Sequence, residues 1–222
     1  MMITKYGVDN AIYMIIGGII ILFASYFSPW IFVTYLLILI GSLIILFTLW
    51  FFRDPERIVP IEIINDESII LSPADGKIVE LKEIYEKNYL KTNSIQISIF
   101  LSPLDVHVNR NPMLGIVEYF KYNPGDYFVA YHPKSSELNE QSHIGVKNSF
   151  GKIFYKQITG ILARRLVWDI NVGDKLEIGK RFGMMKFGSR MDIFLPTNSE
   201  IIVKSGDKVI GGKTILAKLI KE

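Results

Sequence analysis

The chain has 222 residues, no cysteine and a formal net charge of +3. The missing cysteines exclude a disulfide framework, a thiolate zinc site and a thiol nucleophile. The small, dispersed positive excess excludes the basic footprint of a nucleic-acid binder and suits a domain held over an anionic leaflet.

The first segment reads as membrane composition. No acidic or basic side chain occurs between Asp9 and Arg53, and residues 11–27 and 31–52 each reach the roughly 17 to 25 apolar residues that a spanning helix needs. Pro29 cannot continue a helix and pushes Ser28 away from helical geometry. A transmembrane helical hairpin is therefore expected over residues 1–52. A buried helix pair in a soluble protein is the alternative, whereas a cleaved signal peptide fits poorly because a second span follows. Lys5 and the amino terminus precede the hairpin and Arg53 and Arg57 follow it. The positive-inside tendency then puts both ends, and the rest of the chain, on the cytoplasmic face of the cell membrane.

From residue 53 the periodicity becomes alternating. Residues 94–100 alternate apolar and polar side chains, and 77–84, 151–158 and 200–204 are β-rich runs bounded by turn residues. Turns are expected at Pro73-Ala74-Asp75-Gly76, Asn123-Pro124-Gly125-Asp126 and Lys204-Ser205-Gly206-Asp207. Gly173-Asp174-Lys175-Leu176 recurs as Gly206-Asp207-Lys208-Val209, and Gly179-Lys180 recurs as Gly212-Lys213 at the same offset of 33 residues. Two matching turns at one offset imply two copies of a hairpin unit. Residues 53–222 are thus expected to form a mainly β domain, barrel-sandwich-like by analogy with the lipoyl and biotinyl carriers.

Between the two repeats lies Arg181-Phe182-Gly183-Met184-Met185-Lys186-Phe187-Gly188-Ser189-Arg190. On its own Gly188-Ser189 is a turn, Asp75 a turn residue and His107 an ordinary strand histidine. The segment resembles the Phe-Gly-Ser-Arg signature of the short form of the phosphatidylserine decarboxylase family, whose Gly–Ser peptide is a self-cleavage site. Further segments resemble that family in order. They are Phe51-Phe52-Arg53-Asp54-Pro55-Glu56-Arg57, Leu71-Ser72-Pro73-Ala74-Asp75-Gly76-Lys77, residues 100–110 around His107, Tyr122-Asn123-Pro124-Gly125, Asn139-Glu140-Gln141 and Gly160-Ile161-Leu162-Ala163-Arg164-Arg165.

The resemblance implies a proenzyme that cuts itself at Gly188–Ser189 into a β chain 1–188 and an α chain 189–222. Ser189 becomes a covalent pyruvoyl group, which condenses with the amine of phosphatidylserine and acts as an electron sink for decarboxylation to phosphatidylethanolamine. It assigns Asp75 to the self-cleavage machinery, while His107 is the candidate proton donor because imidazole titrates near neutral pH. Longer members carry a second histidine where this chain has Arg110, so the self-cleavage base stays open. Arg110, Arg164, Arg165 and Arg190 are candidates for the substrate's phosphodiester or carboxylate. His132 and His143 read as surface histidines. The partners implied are the phospholipid, the bilayer and the two cleaved chains, with homo-oligomer formation open. Archaetidylserine as substrate is an alternative. So is a membrane-anchored biotinyl- or lipoyl-like carrier, for which Lys186 after Met185 would be the modified lysine.

Overall fold

A computed structural model describes residues 2–125, 138–160, 165–186 and 189–221. The chain divides into two compact units, Met1–Pro55 and Glu56–Glu222.

In the first unit, helices α1 (Val8–Ser25) and α2 (Ile31–Phe51) are both long and apolar enough to cross a membrane. α1 starts three residues ahead of the expected span, with Asp9 in its first turn, where a carboxylate favours the helix dipole. Its end comes before the Ser28-Pro29 break, and Ser25 Oγ donates to Leu22 O. The helices meet at glycines: a Cβ on Gly18 would lie 3.1 Å from Gly41 O, and one on Gly41 2.9 Å from Gly18 O. Such contacts let helix backbones approach closely. Two short strands, β1 (Met2–Ile3) and β2 (Arg53–Asp54), pair antiparallel and tie the two ends of the hairpin together.

The second unit is mainly β; its one described helix, α3 (Ile61–Ile64), is a single turn. The strands follow as β3 (Ile69–Leu71), β4 (Gly76–Glu86), β5 (Thr92–Leu101), β6 (Val108–Arg110), β7 (Gly115–Asn123), β8 (Gln141–Asn148), β9 (Gly151–Thr159) and β10 (Arg165–Trp168). Then come β11 (Lys175–Leu176), β12 (Arg181–Lys186), β13 (Ser189–Pro196), β14 (Glu200–Ile201), β15 (Lys208–Val209) and β16 (Ile215–Lys218). Of the expected strand 200–204, Glu200 and Ile201 form β14 and Ile202 N donates to Leu216 O at 2.9 Å.

Eight strands form one antiparallel sheet in the order β11-β7-β8-β9-β13-β5-β4-β15, curled as a half-barrel. Side chains alternate across it. Ile97, Ile99, Ile144, Val146, Ile153, Tyr155, Met191, Ile193 and Leu195 share one face and are buried in the main core. Two three-stranded sheets, β10-β12-β6 and β14-β16-β3, supply Leu166, Phe182 and Met185, and Ile70, Leu216 and Ala217, to that same core.

The repeat is expressed as symmetry. β11 pairs with β7 at one edge of the large sheet and β15 with β4 at the other. Gly173 N donates to Val117 O and Gly206 N to Ile78 O, each at 2.8 Å; Gly179 N donates to Asn111 O at 2.9 Å and Gly212 N to Ser72 O at 2.7 Å. The four glycines have φ of +96, +95, +74 and +71 in the order 173, 206, 179, 212, a region that disfavours side chains. These bonds expose a second repeat: Ser72-Pro73-Ala74-Asp75-Gly76 is equivalent to Asn111-Pro112-Met113-Leu114-Gly115.

Candidate active site

Ser189 opens β13, opposite Leu101 on β5 and Thr159 on β9. By strand alternation it shares the core face with Met191 and Ile193, beside Leu101 of the apolar core. The residue is fully buried, and Oγ has no hydrogen-bond partner among the described residues. A buried hydroxyl without a partner costs stability, so a reason for it is needed. Gly188 and Arg164 lie outside the described residues, as does His132.

His107 reaches the same end of the sheet by a tight excursion. β5 ends at Leu101 beside Ser189. The chain then turns, with Ser102 N donating to Asp105 Oδ2 at 2.8 Å and Asp105 N to Ser102 O at 2.9 Å. It returns toward β6, and just before that strand His107 O accepts from Met185 N at 3.2 Å, on the strand that leads into Gly188 and Ser189. The imidazole is fully buried, with Nδ1 2.9 Å from Asp105 O. A polar network not anticipated from the sequence joins neighbouring strands: Gln157 Nε2 donates to Asn109 Oδ1 at 2.8 Å, and Ser142 Oγ donates to Gln157 Oε1 at 2.7 Å. It ties β6 to β8 and β9 on the face that carries Ser189.

Asp75 stands apart from this pair. Lys77 pairs with Phe100 and Phe100 with Arg190, so the Asp75 turn is two strands from Ser189, roughly 10 Å. Its carboxylate is held bidentately by Arg57, at 2.6 and 2.7 Å, and accepts from Gly211 N at 2.8 Å.

The arginines separate. Arg190 faces the opposite side of the sheet from Ser189, where it donates to Asp192 Oδ1 at 2.6 Å, Glu80 Oε2 at 2.8 Å and Ser98 Oγ at 2.7 Å. Burial raises the Glu80 carboxyl, but Lys82 and Arg190 outweigh it and hold the group below its ordinary value. Arg110 is buried and donates to Gly179 O at 3.0 Å. Arg165 is exposed and sits opposite Lys186.

Two expectations need correction. His143 is not a surface histidine. It is buried on β8, 2.9 Å from Gln141 Oε1, in a cleft of about 670 Å³ on the Arg190 face. Burial, helped by Lys156, pushes its pKa down to about 3. Lys186 is buried at 6 % exposure in a paired strand, whereas a carrier lysine must be displayed to the enzymes that modify it.

Comparison with known proteins decides the family. The phosphatidylserine decarboxylase family model matches residues 44–217. The phosphatidylserine decarboxylase proenzyme of Amoebophilus asiaticus is 50% identical over 183 residues, covering 82% of this chain and 80% of its own. That of Carboxydothermus hydrogenoformans is 40% identical over 208 residues, 93% of each chain. The chain belongs to the phosphatidylserine decarboxylase family.

Proposed function

We propose that this phosphatidylserine decarboxylase, made as a proenzyme, breaks its own peptide between Gly188 and Ser189, giving a β chain 1–188 and an α chain that starts at residue 189. The observation that carries the reading is the Ser189 hydroxyl, fully buried and without a partner among the described residues, at the sheet end to which His107 returns.

Ser189 Oγ attacks the Gly188 carbonyl and the peptide becomes an ester. Loss of the Gly188 carboxylate by β-elimination leaves dehydroalanine, and hydrolysis of its imine form takes in one water and releases ammonia. A hydroxyl needs a base for the first step. His107 serves there, because an Nδ1 proton committed to Asp105 O leaves Nε2 as the basic nitrogen.

The pyruvoyl group supplies a ketone that condenses with the amine of phosphatidylserine and takes up the electrons released with carbon dioxide. His107 then returns a proton to the substrate carbon. Arg165, exposed beside Lys186, suits the lipid phosphodiester, with Arg164 next to it in the chain. Arg110 and Arg190 already serve a backbone carbonyl and two carboxylates. Burial of the site favours loss of a carboxylate that water would otherwise stabilise.

The curled sheet with two equivalent edge hairpins supports a barrel-sandwich description of residues 53–222. The two apolar helices support a transmembrane hairpin, with the catalytic domain on the cytoplasmic face. Intact-mass measurement tests the function. The purified chain should be split at Gly188–Ser189, and its α chain should react with hydroxylamine, as a ketone does. Ser189→Ala should fold yet stay whole and inactive; an active unbroken chain would overturn the reading.

A further inference from the structure

The segment that follows Pro55 runs across both halves of the repeat, and what it meets differs between them. In one half Leu114 and Ile178 are apolar and pack with Val59 and Ile63. The equivalent positions in the other half are Asp75 and Gly211. There the segment presents Arg57, whose guanidinium grips both Asp75 oxygens and donates to Gly211 O. Arg57 and Asp75 are almost buried, with 5 and 15 % of their side chains exposed.

The turn itself does not require this pair, since its twin is built with leucine at the same place. Burying an ion pair costs desolvation that apolar packing avoids, so stability alone gives no reason for the two halves to differ. Both departures, a carboxylate for leucine and a glycine for isoleucine, fall where Arg57 docks.

The Asp75 turn also bears on the strand beside the site. Gly76 has φ of +154, and a Cβ there would lie 2.2 Å from Phe100 O, so the turn is pressed on the end of β5. Phe100 pairs with Arg190 and Leu101 with Ser189. A shift of the turn therefore reaches Ser189 through contiguous backbone.

We propose that Arg57 is a positioning residue for self-cleavage. Acting through Asp75, it seats the turn at residues 73–76 against β5, so that the Ser189 hydroxyl is presented for attack only once the segment following the anchor has docked. The proposal rests on cleavage at Gly188–Ser189 and adds a condition on it.

The test follows cleavage of newly made full-length protein by intact mass over time, with melting temperature measured on the same samples. The double variant Arg57→Leu/Asp75→Leu copies the apolar solution of the other half. It should melt close to the wild type yet cleave about 10- to 100-fold more slowly, the scale of a small misplacement of reacting groups. Arg57→Ala should be similarly slow and should recover in part when guanidinium ion at tens of millimolar (roughly) fills the vacated site. Wild-type cleavage rate in a folded double variant overturns the proposal. So does absence of guanidinium recovery in Arg57→Ala, whatever the double variant does. A wild-type chain that stays whole overturns the cleavage reading itself, which separates the two failures.

Discussion

A carbonyl accepts hydrogen bonds and never donates them, so Asp105 O fixes the Nδ1 proton of His107 and with it the ring's orientation. Asp105 is positioned in turn by its side chain, which accepts from Ser102 N. This arrangement gives the imidazole a defined tautomer without a second histidine at position 110, where Arg110 instead braces the Gly179 turn. If His107 moves the proton in both self-cleavage and decarboxylation, His107→Ala should lower turnover by roughly 10²- to 10⁴-fold and also slow maturation. Scoring cleavage by mass and turnover by carbon dioxide release on the matured fraction separates the steps. Near-normal turnover in that fraction would remove His107 from decarboxylation. His107 was legible in the sequence only through its segment's resemblance to the family. Gln157, Asn109 and Ser142 were not legible, because polar residues on three separated strands carry no local sign that they will meet.

The elements were legible where their periodicity is strict. β5 alternates cleanly because one face packs on the core and the other faces the cleft, and it forms as expected. The second repeat escaped notice because only proline and glycine match between residues 72–76 and 111–115; the likeness lies in backbone bonds. His143 was misplaced for a related reason. Strand β8 is buried over Gln141–Val146 on both faces, so alternation gives no hint of which side a polar residue takes. Its burial carries a pH prediction. The folded state holds His143 near a pKa of about 3, against roughly 6.5 unfolded. The unfolded chain therefore binds the proton more readily, and this contribution to stability is complete above about pH 6.5 and is lost as pH falls toward 3. At pH 5 the loss is on the order of 2 kcal/mol, or about 4 to 8 °C in a domain of this size. His143→Gln should show a correspondingly smaller drop in melting temperature between pH 7 and pH 5 than the wild type. Parallel pH curves for the two proteins would show that His143 does not titrate on unfolding.

At the scale of the whole molecule, the anchor is the part most plainly written in composition, since 43 residues without a charge between Asp9 and Arg53 have few other uses. The structure adds how its ends are held. Met2 and Ile3 pair with Asp54 and Arg53, so the start of α1 and the exit of α2 are hydrogen-bonded neighbours, as the two ends of the proposed hairpin on one side of a bilayer would be. Arg53 donates to Trp50 O at 2.6 Å and stacks 4.0 Å over its ring, the kind of cationic and aromatic pair that sits at a membrane interface. In the topology proposed above, that side is the cytoplasm, the side that the flanking Lys5, Arg53 and Arg57 favour. The absence of cysteine makes the assignment testable with single introduced thiols. Ser28→Cys, between the helices, should react with a membrane-impermeant maleimide in intact cells. Ser205→Cys, on an exposed turn of the β unit, should react only after the membrane is opened. Labelling of Ser205→Cys from outside, with Ser28→Cys protected, would invert the topology and place the decarboxylase on the outer face.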